Sequence, residues 1–350
     1  MHKLGGMTIM SEKKNKFDSK KLVDFLFNNA MFIIIALVIV YVAIKRPAFL
    51  GTASIVNVIS LTASKLPIAL GVGGCIVLAG TDISAGRIVG LSAVVTASLL
   101  TTSSKIWPNM TQALPIPVVL LIVVLIGAAI GFVNGFSVAK FSLHPYIVTL
   151  STQLITYGII LVYMMSGTNN GQTLSGMIEP YKNLIAGPLF KIGTVAVPKY
   201  VLYSLIFLIV MWVIWNKTEF GKNMFAVGSN KTAAEVSGVN VEKTIILVFV
   251  LAGVMYSLAG FIDAARVGSA TANTGLNYEA DAISACVIGG VSFVGGTGKI
   301  SGLFIGVVLL QLIFVALNFL AVNQNMLYII KGLIILIACA IDMRKYLTKK

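Results

Sequence analysis

The side chains that most often do chemistry are few in this sequence and poorly placed for it. Of the two histidines, His2 lies in a polar N-terminal stretch and His144 stands beside Pro145 in a turn. Neither has a carboxylate or cysteine partner nearby in sequence. Cys75, Cys286 and Cys339 each sit inside an apolar run, with no CxxC and no paired framework, which points away from disulfides and from a metal site. No HExxH pair and no GxSxG elbow occurs. Gly295-Gly296-Thr297-Gly298-Lys299-Ile300 comes close to a phosphate-binding loop. That pattern needs Ser or Thr after the lysine and a glycine at position 293, where Ile300 and Phe293 stand instead. The chain is therefore expected to be no enzyme and to bind no ATP by that motif.

The remaining candidates are charged. Asp82 lies near a membrane boundary, and a carboxylate in that setting is costly enough to be a functional candidate by default. It either lines a path or does structural work, capping the following helix or pairing with Arg87. Asp263, Arg266, Glu279 and Asp281 read as a charged outer loop whose members pair with one another or with a docking partner.

The elements that must position these residues are membrane helices. Hydrophobic residues make up 57% of the 350 positions and charged residues 11%, against about 25% charged in soluble proteins. Apolar runs repeatedly approach the roughly 20 residues that span a bilayer. The expected fold is all-α and polytopic, with about ten transmembrane helices. They lie near 25–44, 55–79, 88–100, 116–139, 146–165, 200–215, 244–261, 282–293, 300–320 and 326–341. The formal charge of +14 sits at the termini and between spans, not in a stripe with aromatics, so no nucleic acid partner is expected. Its bias toward one side places both termini in the cytoplasm.

Residues 1–24 form a basic cytoplasmic tail along anionic headgroups, with no cleavable signal, and 344–350 a second basic tail. Residues 25–343 form the membrane domain between them. The second span carries Lys65 and Pro67 and is expected to break at the proline; Lys65 either snorkels or faces an interior cavity. The second and eighth segments are the candidates for re-entrant pieces. Gly127, Gly131 and Gly135 recur at the spacing that lets two helix backbones approach closely. Asn134 beside them either bonds between helices or lines a path. Residues 166–199 make the longest outer loop, with a weakly apolar stretch, 177–192, suited to the membrane interface.

One polar stretch, 216–243, stands between two apolar segments on the cytoplasmic side. Its centre reads as a short helix, with Ser229 or Asn230 as N-cap, 232–237 as body and Gly238 as left-handed stop. So short a helix buries no core of its own, so it is either an ordinary connection or a handle that another protein grips.

Three stretches together resemble the sugar-type permeases of ABC importers. Gly80-Thr81-Asp82-Ile83-Ser84-Ala85-Gly86 is similar to the family's GxDLSxG segment, with Ile83 and Ala85 as variants. Residues 226–239, AVGSNKTAAEVSGV, resemble its coupling segment, with Val239 in place of isoleucine. Residues 279–298, EADAISACVIGGVSFVGGTG, resemble its ELDAIAA segment, with Ala280 in place of leucine. GTDISAGRIVGL and NKTEFGKNMFAVGSN are nearer to galactose/methyl-galactoside members than to ribose or autoinducer members. The resemblance implies a permease homodimer, cytoplasmic ATPase subunits that carry the ATP and Mg, and an extracytoplasmic sugar-binding protein. It also implies that Gly228, Asn230, Ala233, Ala234, Ser237 and Gly238 couple to the ATPase, so a bulky residue at Ala234 should uncouple hydrolysis from uptake. The outer loops 166–199 and 263–281 would receive the binding protein. A ribose or other small-sugar permease is the neighbouring alternative. A proton-coupled transporter would want a midplane acidic relay, whereas most carboxylates here stand at span ends.

Overall fold

The computed structural model describes residues 30–347. The basic tail of 1–24, the start of the first span at Phe25 and residues 348–350 lie outside them. The described chain is mostly helical. In order it forms α1 (Ala30–Lys45), α2 (Thr52–Val77), α3 (Ala85–Leu99), α4 (Ile116–Lys140), α5 (Pro145–Met165), α6 (Glu179–Ile185), α7 (Tyr200–Lys217), α8 (Glu219–Ser229), α9 (Lys231–Val236), α10 (Val241–Val267), α11 (Tyr278–Ile288), α12 (Ile300–Phe319) and α13 (Gln324–Leu347). Six of these, α2, α4, α5, α7, α10 and α12, are long and apolar enough to cross a membrane, and α1, α3 and α13 contribute shorter apolar stretches. This is the build of a multi-pass membrane protein. α11 has only 11 residues, about 17 Å of helix, against a hydrocarbon core of about 30 Å. It cannot cross alone.

α10 is the spine. Its 27 residues reach about 40 Å, and α2, α3 and α4 pack along it. The glycine stripe of α4 lies directly on it, as its spacing predicts. A Cβ at Gly127 would strike the Gly253 carbonyl, one at Gly131 the Phe249 carbonyl, and one at Gly135 would come within 2.8 Å of the Ile246 Cα. Close backbone packing of this kind supplies helix association where lipid offers no hydrophobic drive.

The expected break in the second span is corrected. α2 runs unbroken through Pro67. The missing proline N–H would leave the Ala63 carbonyl without its helical donor, and the Ser204 hydroxyl of α7 donates to it at 2.6 Å across 141 positions. A buried membrane helix tolerates proline when a neighbour satisfies the freed carbonyl in this way. Ser204→Ala should therefore cost about 1–2 kcal/mol in thermal unfolding of the purified chain. In a Pro67→Ala background, where the backbone N–H is restored, the same change should cost close to nothing.

At one end of the bundle the connecting segments interlock. Strand β1 (Leu174–Ser175) pairs antiparallel with β4 (Ser269–Ala270), and β2 (Pro188–Ile192) forms a hairpin with β3 (Val195–Pro198). Thr101 bridges to Met177. α6 turns Tyr181 and Ile185 into the core, and the Tyr181 hydroxyl donates to the Phe261 carbonyl. The weakly apolar stretch 177–192 thus becomes a short helix and an exposed strand. α8 and α9 lie at the opposite end of α10.

Candidate functional site

Three groupings bring the sequence candidates together. The first is the polar stretch after α7. Asn230 caps α9 as expected, its side-chain oxygen accepting from the Ala233 N–H at 2.9 Å. Gly238 ends it with φ +85°, a region that costs glycine little, and the Val239 N–H returns to the Ala234 carbonyl at 3.0 Å. Asn230, Ala233, Ser237 and Gly238 are exposed. Val236, next to them, is 86% exposed, the most open of the large apolar side chains described.

Ala234 is the correction. It is buried in the chain's own core, because it faces inward while Ala233 and Val236 face out. A bulky residue there would strain this fold before it touched a partner. Gly228 is also buried. It closes α8, a helix the sequence reading merged into the loop, although Thr218 caps it by accepting from the Gly221 N–H at 3.1 Å. The spacing of Phe220, Met224 and Val227 was the signal for that helix, with Met224 and Val227 fully turned inward. A Cβ at Gly228 would collide with the Val77 carbonyl at the end of α2, and the Gly228 carbonyl rests against Gly295. The Gly296 N–H donates to the same Val77 carbonyl at 2.8 Å. The turn that came close to a phosphate loop is therefore filled by protein: it beds α8 onto α2.

α2 leads directly into the second grouping, the Asp82 centre. Asp82 is 1% exposed. Its Oδ1 accepts from the Ser84 N–H at 2.9 Å and the Ser84 hydroxyl at 2.6 Å, which shapes the turn that starts α3. Asn134 Nδ2 donates to the Ser84 Oγ at 3.0 Å, and the Thr152 hydroxyl donates to Asn134 Oδ1 at 2.5 Å. The Tyr256 phenol of α10 faces Asp82 and Cys75. Asn134 is thus an interhelical bond joining α3, α4 and α5. Of the structural roles open to Asp82, the helix-start role is the one seen. Arg87 turns elsewhere, donating to the Ala272 carbonyl at 3.2 Å and lying 4.0 Å from the Tyr157 ring centroid.

The third grouping shows the expected pairing of these charges with one another, at Asp263 and Arg266, and corrects the exposed docking loop. Asp263 is 3% exposed, Glu279 7% and Asp281 8%, so they cannot offer a charged outer surface. Asp263 pairs with Arg266, Nε to Oδ1 2.8 Å, and accepts from the Tyr278 hydroxyl at 3.1 Å. Lys65 of α2 lies 2.7 Å from the Tyr278 ring centroid, the interior option for that lysine. Lys331 of α13 pairs with Asp281 at 2.9 Å, and Gln153 of α5 donates to Glu279 at 3.5 Å. Four helices, α2, α10, α11 and α13, thus bring charges of both signs together, and α5 adds the neutral Gln153. The cavity left beside Lys65 and Asp281 holds about 10 Å³, room for a single water. Tyr278 carried no sequence signal as part of this centre, whereas Lys65 and Lys331 did, as isolated charges in apolar runs.

Residues 54–339 match the family described as branched-chain amino acid transport system / permease component. The chain is 40% identical to the galactose/methyl galactoside import permease protein MglC of Haemophilus influenzae, over 95% of this chain and 99% of that one. It is 41% identical to the Escherichia coli protein of the same name, with the same coverage. It is 33% identical to the ribose import permease protein RbsC of Haemophilus influenzae, over 94% of this chain and 97% of that one. No solved structure matches the chain significantly. These relatives are named as permeases, transport subunits and not enzymes. With a family match across most of its length and relatives aligned nearly end to end, the chain belongs to the branched-chain amino acid transport system permease family.

Proposed function

We propose that this chain is the membrane-spanning permease subunit of an ATP-driven importer that carries galactose or methyl galactoside. The observation that carries the reading is α9: a capped, solvent-facing helix between two membrane-length helices, presenting Val236 at 86% exposure with Ala233 and Ser237 beside it. An apolar knob ringed by small residues suits a cleft on another protein, and we assign that cleft to a cytoplasmic ATPase that holds the ATP and Mg. The sugar follows the higher identity to the galactose permeases than to the ribose permease.

In this account about ten membrane-embedded segments leave both termini on the cytoplasmic side with α9, and α11 is a half-helix completed by residues 289–299. The interlocked loops at the far end, with β1 and β4, receive the sugar-binding protein. Because the Asp82 and Asp263–Asp281 centres are closed by their own side chains, the sugar passes between two copies of the chain and not through one. Closure of the ATPases moves α9, and α8 carries that movement through Gly228 and Gly296 to the end of α2 and the Asp82 turn. The bias required between the two states is a few kcal/mol.

Labelled galactose uptake into membrane vesicles tests this. Uptake should need the ATPase, the binding protein and ATP together, and galactosides should block it while ribose does not. Block by ribose alone would replace the sugar and keep the mechanism. Uptake by the chain alone on a proton gradient would overturn it.

A further inference from the structure

An apolar groove of about 330 Å³ opens on the flank of the bundle, below α6. Leu120 of α4, Ile206 and Phe207 of α7 and Phe261 of α10 form its walls, and Leu184 and Ile185 of α6 its roof. Its one polar group, the Tyr203 hydroxyl, is turned to the Leu184 carbonyl at 2.8 Å. In a membrane-spanning chain such a flank is bathed in lipid, and an unfilled apolar void forfeits dispersion contacts on every wall.

The rim is basic. Lys199 stands one helical turn before Tyr203 on the same face of α7, and its Nζ donates to the Asn183 carbonyl at 3.1 Å, next to the roof. Among the described residues no carboxylate lies within ion-pair distance of Lys199 or of Lys191 on β2. Beside them Leu184, Leu189 and Phe190 are exposed, as expected of a segment lying at the headgroup boundary. An apolar slot with an unpaired cation at its mouth is complementary to a lipid with an anionic head.

We propose that the groove is a binding site for one anionic phospholipid, with an acyl chain between α4, α7 and α10 and its phosphate on Lys199. The full-length chain, purified in mild detergent, would be exchanged into equal amounts of phosphatidylglycerol and phosphatidylcholine and washed. The lipid retained would then be counted by native mass spectrometry. One phosphatidylglycerol per chain should survive in preference to phosphatidylcholine. Leu120→Trp should remove it, and Lys199→Glu should lower the preference at least about fivefold. Ile206→Trp fills the slot from an exposed wall position and gives the same reading where Leu120→Trp fails to fold. Equal retention of the two lipids, or retention unchanged by filling the slot, would overturn the proposal. So would a disulfide between two copies of a Leu120→Cys variant in native membranes, which would give the groove to a second chain.

Discussion

Gly131→Leu should leave little or no folded permease in the membrane. The added Cβ would land on the Phe249 carbonyl and within 3.0 Å of the Val250 Cα. Both are backbone atoms of α10, so no rotamer change can make room. α4 and α10 would have to separate along their whole contact, opening the Gly127–Gly253 approach as well. Overpacked cores usually lose about 1–3 kcal/mol, and a collision with backbone belongs at or above the top of that range. Net stabilities of about 5–15 kcal/mol leave little margin for it. Gly158→Leu on α5 is the control: a Cβ there meets nothing within 4 Å, and leucine is the better helix former. Size-exclusion profiles of the full chain fused to a fluorescent reporter would show a loss of the monodisperse peak for Gly131→Leu and an unchanged peak for Gly158→Leu. Equal peaks would mean that the α4–α10 contact contributes little.

The second large effect is expected at the charges around α11. Arg266→Met leaves Asp263, 3% exposed, with only the Tyr278 hydroxyl and the more distant Lys65. Removing one partner of a buried pair typically costs about 3–5 kcal/mol, because the other charge stays buried without compensation. Removing both is commonly near neutral, so Asp263→Leu with Arg266→Met should recover most of the loss. Thermal midpoints of the wild type, the single variant and the double variant in one detergent would show this. A double variant no better than the single would mean that Asp263 and Arg266 act through separate partners.

What was legible in the sequence is what local rules dictate. The α4 glycines fix a close contact by their spacing alone, and Asn230 and Gly238 mark the two ends of α9 by capping chemistry alone. The errors at Pro67 and at the charges around α11 depend on partners distant in sequence, whereas α8 was missed despite a local cap at Thr218. Pro67 reads as a break until Ser204, 141 positions away, supplies the missing donor. Asp263, Glu279 and Asp281 read as an outer loop, paired among themselves or with a partner, because charges between apolar runs usually lie outside. Lys65, Tyr278, Lys331 and Gln153 draw them inside, and nothing in the local sequence shows that those side chains converge. Ala234 fell to the opposite error: a small residue suits a partner's groove and the chain's own core equally well, and only the helix orientation decides.

α9 remains the point on which the functional account turns, and Val236 is its most accessible apolar group. The direct test is sugar uptake and ATP hydrolysis measured in parallel, in liposomes holding the chain, its ATPase and its binding protein, for the wild type and for Val236→Asp. Val236 touches no core, so the variant should fold and insert normally. Loss of an apolar anchor worth about 2 kcal/mol or more should cut uptake at least about thirtyfold, with hydrolysis no longer stimulated by the loaded binding protein. Uptake and stimulated hydrolysis both unchanged in Val236→Asp, and again in Val236→Asp with Ala233→Arg, would show that the ATPase does not grip the chain at α9.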